Sequence, residues 1–194
     1  MSGKCVKILH ILLGMGTGDN RMLKLVHTIS ALSFSQLMNV YVESNTESGF
    51  DLYGQHLEFE RLHLVESDFF HYLKSVFFRQ EKSFYAIWEE GGRYVSAVRV
   101  EPYLDGFLLC ALETCPQERC KGFAGKLILS ICDYLSAMGA DAIYSHVSKE
   151  NIASLRVHMR CGFEIVENHA VFTDGSVSQN SCTLVYKMKK SEIH

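Results

Sequence analysis

No stretch of this chain approaches the roughly 18 consecutive apolar residues that a membrane-crossing helix needs. The N-terminal run VKILHILLGMG is short and lacks a clear cleavage site. Neither a membrane span nor a secretory leader is expected. Proline is almost missing, with only Pro102 and Pro116, so no Pro-rich linker or low-complexity arm divides the sequence. The seven cysteines form no CxxC pair and are odd in number. That disfavours a disulfide framework and predicts free thiols in a reducing, cytoplasmic setting. Neither sign of charge dominates, with 19 Lys plus Arg against 22 Asp plus Glu and a net charge of -3. A generally basic nucleic-acid footprint is thereby excluded.

What is present is a core. A hydrophobic content of 47% over 194 residues suits one domain of ordinary size. We take residues 22–194 as that domain and residues 1–21 as an N-terminal extension. Within the extension, Cys5–Leu13 reads as a strand and GMGTGDN as a flexible turn. A strand is expected at 22–29 and a helix at 34–44. Ser33 and Gln36 stand at capping-box spacing before that helix, and Leu37, Val40 and Tyr41 share one face. A loop at 45–55 precedes a helix at 66–79, whose stripe of Phe69, Leu73, Val76 and Phe77 packs on a sheet.

Three strands follow, at 84–88, 94–101 and 107–114. The connections EEGG and PYLDG are short and contain glycine, which favours antiparallel neighbours. Next comes a helix to Met138 with the stripe Phe123, Leu127, Ile131, Leu135 and Met138, ended by Gly139. A strand at 142–147, a helix at 151–161 and strands at 163–167 and 183–188 complete the order, with a polar segment at 172–182. A mixed α/β sheet flanked by helices fits it.

The phrase RCKGFAGK sits where a strand becomes a helix. It is not a Walker loop, because Gly125-Lys126 is followed by Leu127 and position 120 is Cys. GMGTG at 14–18 is not a dinucleotide fingerprint, because its third glycine falls one position early. Yet the first amides of a helix lack internal acceptors and can face an anion, and Arg119 and Lys121 can add charge-assisted contacts. A plain structural turn is the alternative. About thirty residues on, Asn151, Ser154 and His158 follow at helical spacing and Gly162-Phe163 turns the chain into a strand. Asn151 as a cap, His158 as packing and Gly162 as a helix end would explain these as well.

Taken together, in this order and spacing, the two stretches resemble the Gcn5-related N-acetyltransferase (GNAT) superfamily. Arg119, Gly122 and Ala124 match the central motif in PQERCKGFAGKLI, and Asn151, Ser154, Gly162 and Phe163 match the later one, with His158 where a tyrosine is usual. The resemblance is strongest over 107–163 and spans about 22–188. It implies a mixed central sheet with a V-shaped opening between the strands at 107–114 and 142–147. It implies acetyl-coenzyme A as acyl donor, with the pyrophosphate on the amides of Arg119, Cys120, Lys121, Gly122, Phe123, Ala124, Gly125 and Lys126. Backbone near Leu112 and Thr114 would pair with the pantetheine arm. Asn151 and Ser154 would order the adjoining loop, and His158 would lie near the departing sulfur.

The implied reaction is attack of a primary amine of a small molecule or peptide on a thioester. Glu113 is the first candidate for the base, with Glu101 and His146 as rivals, and His158 is the candidate acid. A non-catalytic acyl-coenzyme A sensor or a protein-interaction domain of the same shape is the alternative. No metal centre is expected: His56, Glu58, Glu60 and His63 read as solvated positions. A monomer or homodimer is expected, acting on neither nucleic acid nor membrane.

Overall fold

The computed structural model describes residues 21–188. The strand and turn expected before residue 21 lie outside them. Seven strands form one mixed sheet in the order β1-β2-β3-β4-β5-β9-β6. These are β1 (Arg21–Val26), β2 (Phe84–Glu90), β3 (Arg93–Tyr103), β4 (Gly106–Thr114), β5 (Ala142–Ser148), β6 (Glu164–Glu167) and β9 (Ser181–Lys187). A small hairpin, β7 (Ala170–Val171) and β8 (Val177–Ser178), stands apart. Only β4 and β5 pair in parallel. The helices are α1 (Phe34–Val40), α2 (Val42–Tyr53), α3 (Glu58–Ser75), α4 (Phe123–Ala137) and α5 (Ile152–Arg160).

The sheet is covered on both faces because its strands alternate two apolar sets. Phe84, Ala86, Val98, Val100, Leu109 and Ile143 pack with Leu127, Ile128, Ile131 and Leu135 of α4. Tyr85, Ile87, Tyr94 and Ala97 pack with Leu37 and Val40 of α1, Leu73 of α3, and Phe77. The antiparallel run β2-β3-β4 is as its short connections predict.

Several local expectations fail for physical reasons. The segment 45–55 is not a loop, because α2 runs through most of it. Its buried residues are Asn45 and Gly49, and a Cβ on Gly49 would stand 3.3 Å from the Cβ of Arg61. Close approach, not an apolar stripe, seats this helix, so hydrophobic periodicity did not mark it. The next helix begins at Glu58 rather than 66, where the Glu60 carboxylate accepts from the Leu57 amide at 3.1 Å. Ser33 makes no side-chain cap, and Gln36 instead accepts from the Tyr94 amide at 2.9 Å. Val76 and Met138 end their stripes exposed.

The parallel pair positions the site. It is in register at Phe107–Ile143, Leu108–Tyr144 and Leu109–Ser145, and no further. β4 slips by one residue against β3 between the Ala97 and Arg99 pairings, and Ala111 takes a left-handed φ of 52°. This bulge bends β4 away from β5. The buried Tyr41 hydroxyl donates to the Ala111 carbonyl at 2.7 Å and holds the bend. At the other end the strands touch closely: a Cβ on Gly106 would lie 2.0 Å from the Ala142 carbonyl oxygen. Backbone cannot yield to that contact. Gly106→Ala is expected to lower stability by about 3 kcal/mol in urea unfolding, and an unchanged midpoint would contradict the close pairing.

Candidate active site

The splay of β4 from β5 opens a cleft of about 940 Å³. Its strand walls are Leu109 and Ala111–Thr114 on one side and Ser145–Ser148 on the other. Beyond Leu109, β4 is paired only toward β3, so its opposite edge faces no strand, although the carbonyls of Ala111 and Thr114 accept from Tyr41 and Arg119. The turn into α4 closes one end. Gly122 sits at the helix start with φ 82°, a left-handed conformation that glycine adopts without strain. Cys120 shares that region at φ 61° and is exposed. Within α4 the first amide on an acceptor is that of Lys126, on the Gly122 carbonyl at 3.0 Å. The amides of Phe123, Ala124 and Gly125 precede it without helical partners.

Most of the residues singled out in the sequence meet here. Leu112, Glu113, Thr114, Arg119, Cys120, Gly122, Phe123, Ala124, Gly125, Asn151, Ser154 and His158 all line the cleft. Lys121 and Lys126 do not. Lys121 pairs with Glu118 at 2.8 Å, and the Lys126 ammonium lies over the Phe123 ring, 5.1 Å from its centroid. Arg119 is already engaged: it pairs with Glu43 of α2 at 2.6 Å and donates from Nε to the Thr114 carbonyl at 3.3 Å. Sequence reading missed Arg156 and Arg160, which bring two more cations to the cleft from α5. Their four-residue spacing, matching that of Ser154 and His158, was the available signal.

Asn151 caps α5, its Oδ1 accepting from the Ser154 amide at 2.9 Å. His158 is buried, 1% exposed, with its ring edge-on to Phe163. Its Nδ1 meets the Ser154 carbonyl at 2.8 Å. A carbonyl only accepts, so Nδ1 carries the proton and Nε2, buried without a partner, offers a lone pair. Burial pushes its pKa down, opposed by the Ser154 bond. A neutral ring held this way cannot donate from Nε2, which turns the expected acid into an acceptor or a packing group.

Glu113 lies at the cleft wall under α2, and burial raises its pKa. The Ser44 hydroxyl and Arg119 lower it, while Glu43 and Glu47 raise it. Of the two rival bases, Glu101 lies outside this cleft and His146 reaches it. A second cavity of about 280 Å³ on the α3 side of the sheet is lined by Glu101, His146, Tyr72 and Phe172 among others. Leu109, Ala111 and His146 line both cavities, so the two share a wall where β4 and β5 part. His146 stands edge-on between Tyr103 and Phe172. Both its ring nitrogens are buried without partners, and burial lowers its pKa. Among the described residues, no three His, Cys, Asp or Glu side chains gather to hold a metal ion.

The model of the acetyltransferase (GNAT) family matches residues 38–163. No curated protein sequence matches the chain at a significant level. Among solved structures, the chain is similar to spermidine N-acetyltransferase from Vibrio cholerae in complex with CoA and spermine. The TM-score is 0.56 at 20% identity, over 87% of this chain and 96% of that one. PaiA N-acetyltransferase from Thermoplasma acidophilum in complex with coenzyme A gives 0.56 at 14% identity, over 86% and 99%. The ribosomal-protein-S18-alanine N-acetyltransferase of Escherichia coli gives 0.50 at 16%, over 66% and 81%. At these identities the likeness is one of fold.

The histidines set a pH dependence of stability. His158 and His146 both have folded pKa values below their ordinary one, so the unfolded chain binds protons that the native state refuses. Their contribution is complete above about pH 6.5 and is lost as pH falls from there through the folded values. Stability should therefore decline on acidification below about pH 6.5. His158→Asn, whose side-chain amide can keep the Ser154 bond, should make that slope shallower. An equal slope in urea titrations of the two proteins would show that His158 is not buried as a neutral ring.

Proposed function

Since the chain belongs to the acetyltransferase (GNAT) family, we propose that it moves an acetyl group from acetyl-coenzyme A to a primary amine. The observation that carries this reading is one arrangement: a cleft edged by strand backbone that faces no neighbouring strand and by helix-start amides shares Leu109, Ala111 and His146 with a second cavity. The residues fit the cosubstrate. The amides of 122–125 suit a pyrophosphate, Arg156 and Arg160 suit further phosphate charge, and the unpaired edge at Leu112–Thr114 suits an amide-bearing arm. Arg119 would keep the turn tied to β4 through Thr114 while its second tie, to Glu43, yields to a phosphate. That two solved relatives hold coenzyme A supports the assignment.

Acetyl-coenzyme A supplies the activated acyl group, and the protein must free the amine. A lysine-like ammonium has a reference pKa near 10.4, so deprotonation at neutral pH costs roughly 4 kcal/mol. Protonating a thiolate is the lesser task. Three groups answer for the base. Glu101 stands 3.7 Å from the Arg99 guanidinium and borders only the second cavity. Glu113 borders the donor cleft and not the second cavity. His146 alone of the three borders both, and burial favours its neutral form, in which one unpartnered ring nitrogen offers a lone pair. We assign it the ammonium proton. Glu113, with Glu43 and Glu47, contributes negative potential at the mouth. The second proton of the attacking nitrogen goes to the sulfur as the C–S bond breaks, and His158 stands by as an acceptor. Free cysteines across the domain suit a reducing compartment such as the cytoplasm.

Calorimetry with acetyl-coenzyme A, followed by thiol release with an amine panel, tests the reading. Binding and turnover are expected. Binding without release from any amine would leave a sensor, and absence of binding would end both accounts. His146→Gln should lower kcat by about 100-fold with acetyl-coenzyme A affinity retained. Glu113→Gln should lower it less, and an unchanged rate in His146→Gln would return the role to Glu113.

A further inference from the structure

The smaller cavity holds a cation that the reaction itself does not require. Arg99 on β3 stands opposite Cys110 of β4 and faces the α3 side of the sheet. Its guanidinium lies 5.2 Å from the Tyr72 ring centroid and 5.9 Å from that of Phe77. The side chain is only 19% exposed. Nη1 donates to the Tyr72 hydroxyl at 2.8 Å and stands 3.7 Å from the Glu101 carboxylate, beyond hydrogen-bond distance. Nε is buried without a partner. Nη2 makes no hydrogen bond within the described residues and, unlike Nε, is not among the buried unpartnered atoms.

A caged guanidinium with unused N–H groups in a small, partly apolar cavity is a receptor for a planar anion. Glu101 does not saturate it, because at 3.7 Å that carboxylate balances charge without filling the donors. His146 offers unpartnered ring nitrogens in the wall that this cavity shares with the cleft. The lining therefore offers one group for an oxyanion and another for an ammonium. A polyamine would set its second cation against Arg99. A volume of about 280 Å³ admits a compact head group.

We infer that the acceptor is an amine with a carboxylate a few atoms from its nitrogen, an amino acid or a close analogue, whose carboxylate sits on Arg99 while the nitrogen faces His146. This rests on the acetyl-transfer reading above and names the substrate class of that same site. The test compares free amino acids with their methyl esters and decarboxylated amines, in thiol release from acetyl-coenzyme A by the full chain. The carboxylate-bearing member of each set should win by about 100-fold in kcat/KM. Arg99→Gln should erase the preference chiefly through KM, and Arg99→Lys, which keeps the charge, should restore part of it. Turnover of esters and amines as fast as of the acids overturns the inference and leaves acetyl transfer standing. No turnover in any set, with acetyl-coenzyme A bound, overturns both. The comparison on the unmodified protein decides the matter even if the Arg99 variants fold poorly.

Discussion

Everything at the site follows from two neighbouring strands that pair for three residues and then part. β4 and β5 run in register only through Leu109 and Ser145. The parting is built in, because one extra residue in β4 places Ala111 at a positive φ. A non-glycine residue in that region costs of order 1–2 kcal/mol, and the Tyr41 hydroxyl, buried beside it, gives its carbonyl a partner. Tyr41, the residue that joins α1 to α2, thus does more than cover the sheet. It fixes the angle at which β4 leaves β5, and with it the width of both cavities.

The electrostatics divide along the same line. On the donor side, cations come from Arg119, Arg156 and Arg160, together with the amides that open α4. On the α2 side stand Glu43, Glu47 and Glu113. The Arg119–Glu43 pair bridges the two. Being half exposed on both partners, it contributes little to stability and can be exchanged for a ligand at small cost. Near the second cavity, burial is the leading influence on Cys110 and His146, as it is on His158 in the cleft. Cys110 is pushed up to about 12, and His146 and His158 are pushed down.

How much was legible follows from what each element uses to hold itself. The sheet and α4 are held by apolar alternation and stripe, and both were readable as such. The turn into α4 was readable because glycine at a helix start has a backbone reason, here the left-handed φ of Gly122. α2 was not, since it packs through Asn45 and Gly49. The bulge at Ala111 was hidden because nothing about an alanine announces a positive φ. The second cavity joins Tyr72, Arg99, His146 and Phe172 from four separate parts of the chain, a gathering that only the tertiary fold produces. His158 lines the cleft, but its tautomer is set by the Ser154 carbonyl, which spacing alone does not reveal.

The central claim is that the amides between Cys120 and Gly125 and the free edge of β4 receive an acyl-coenzyme A in the gap beside β5. Amide hydrogen exchange with and without acetyl-coenzyme A tests it most directly. The account predicts slowed exchange confined to the turn at 120–125 and the β4 edge at 112–114, with the sheet core unchanged. Unaltered exchange at those amides under saturating acetyl-coenzyme A would contradict it.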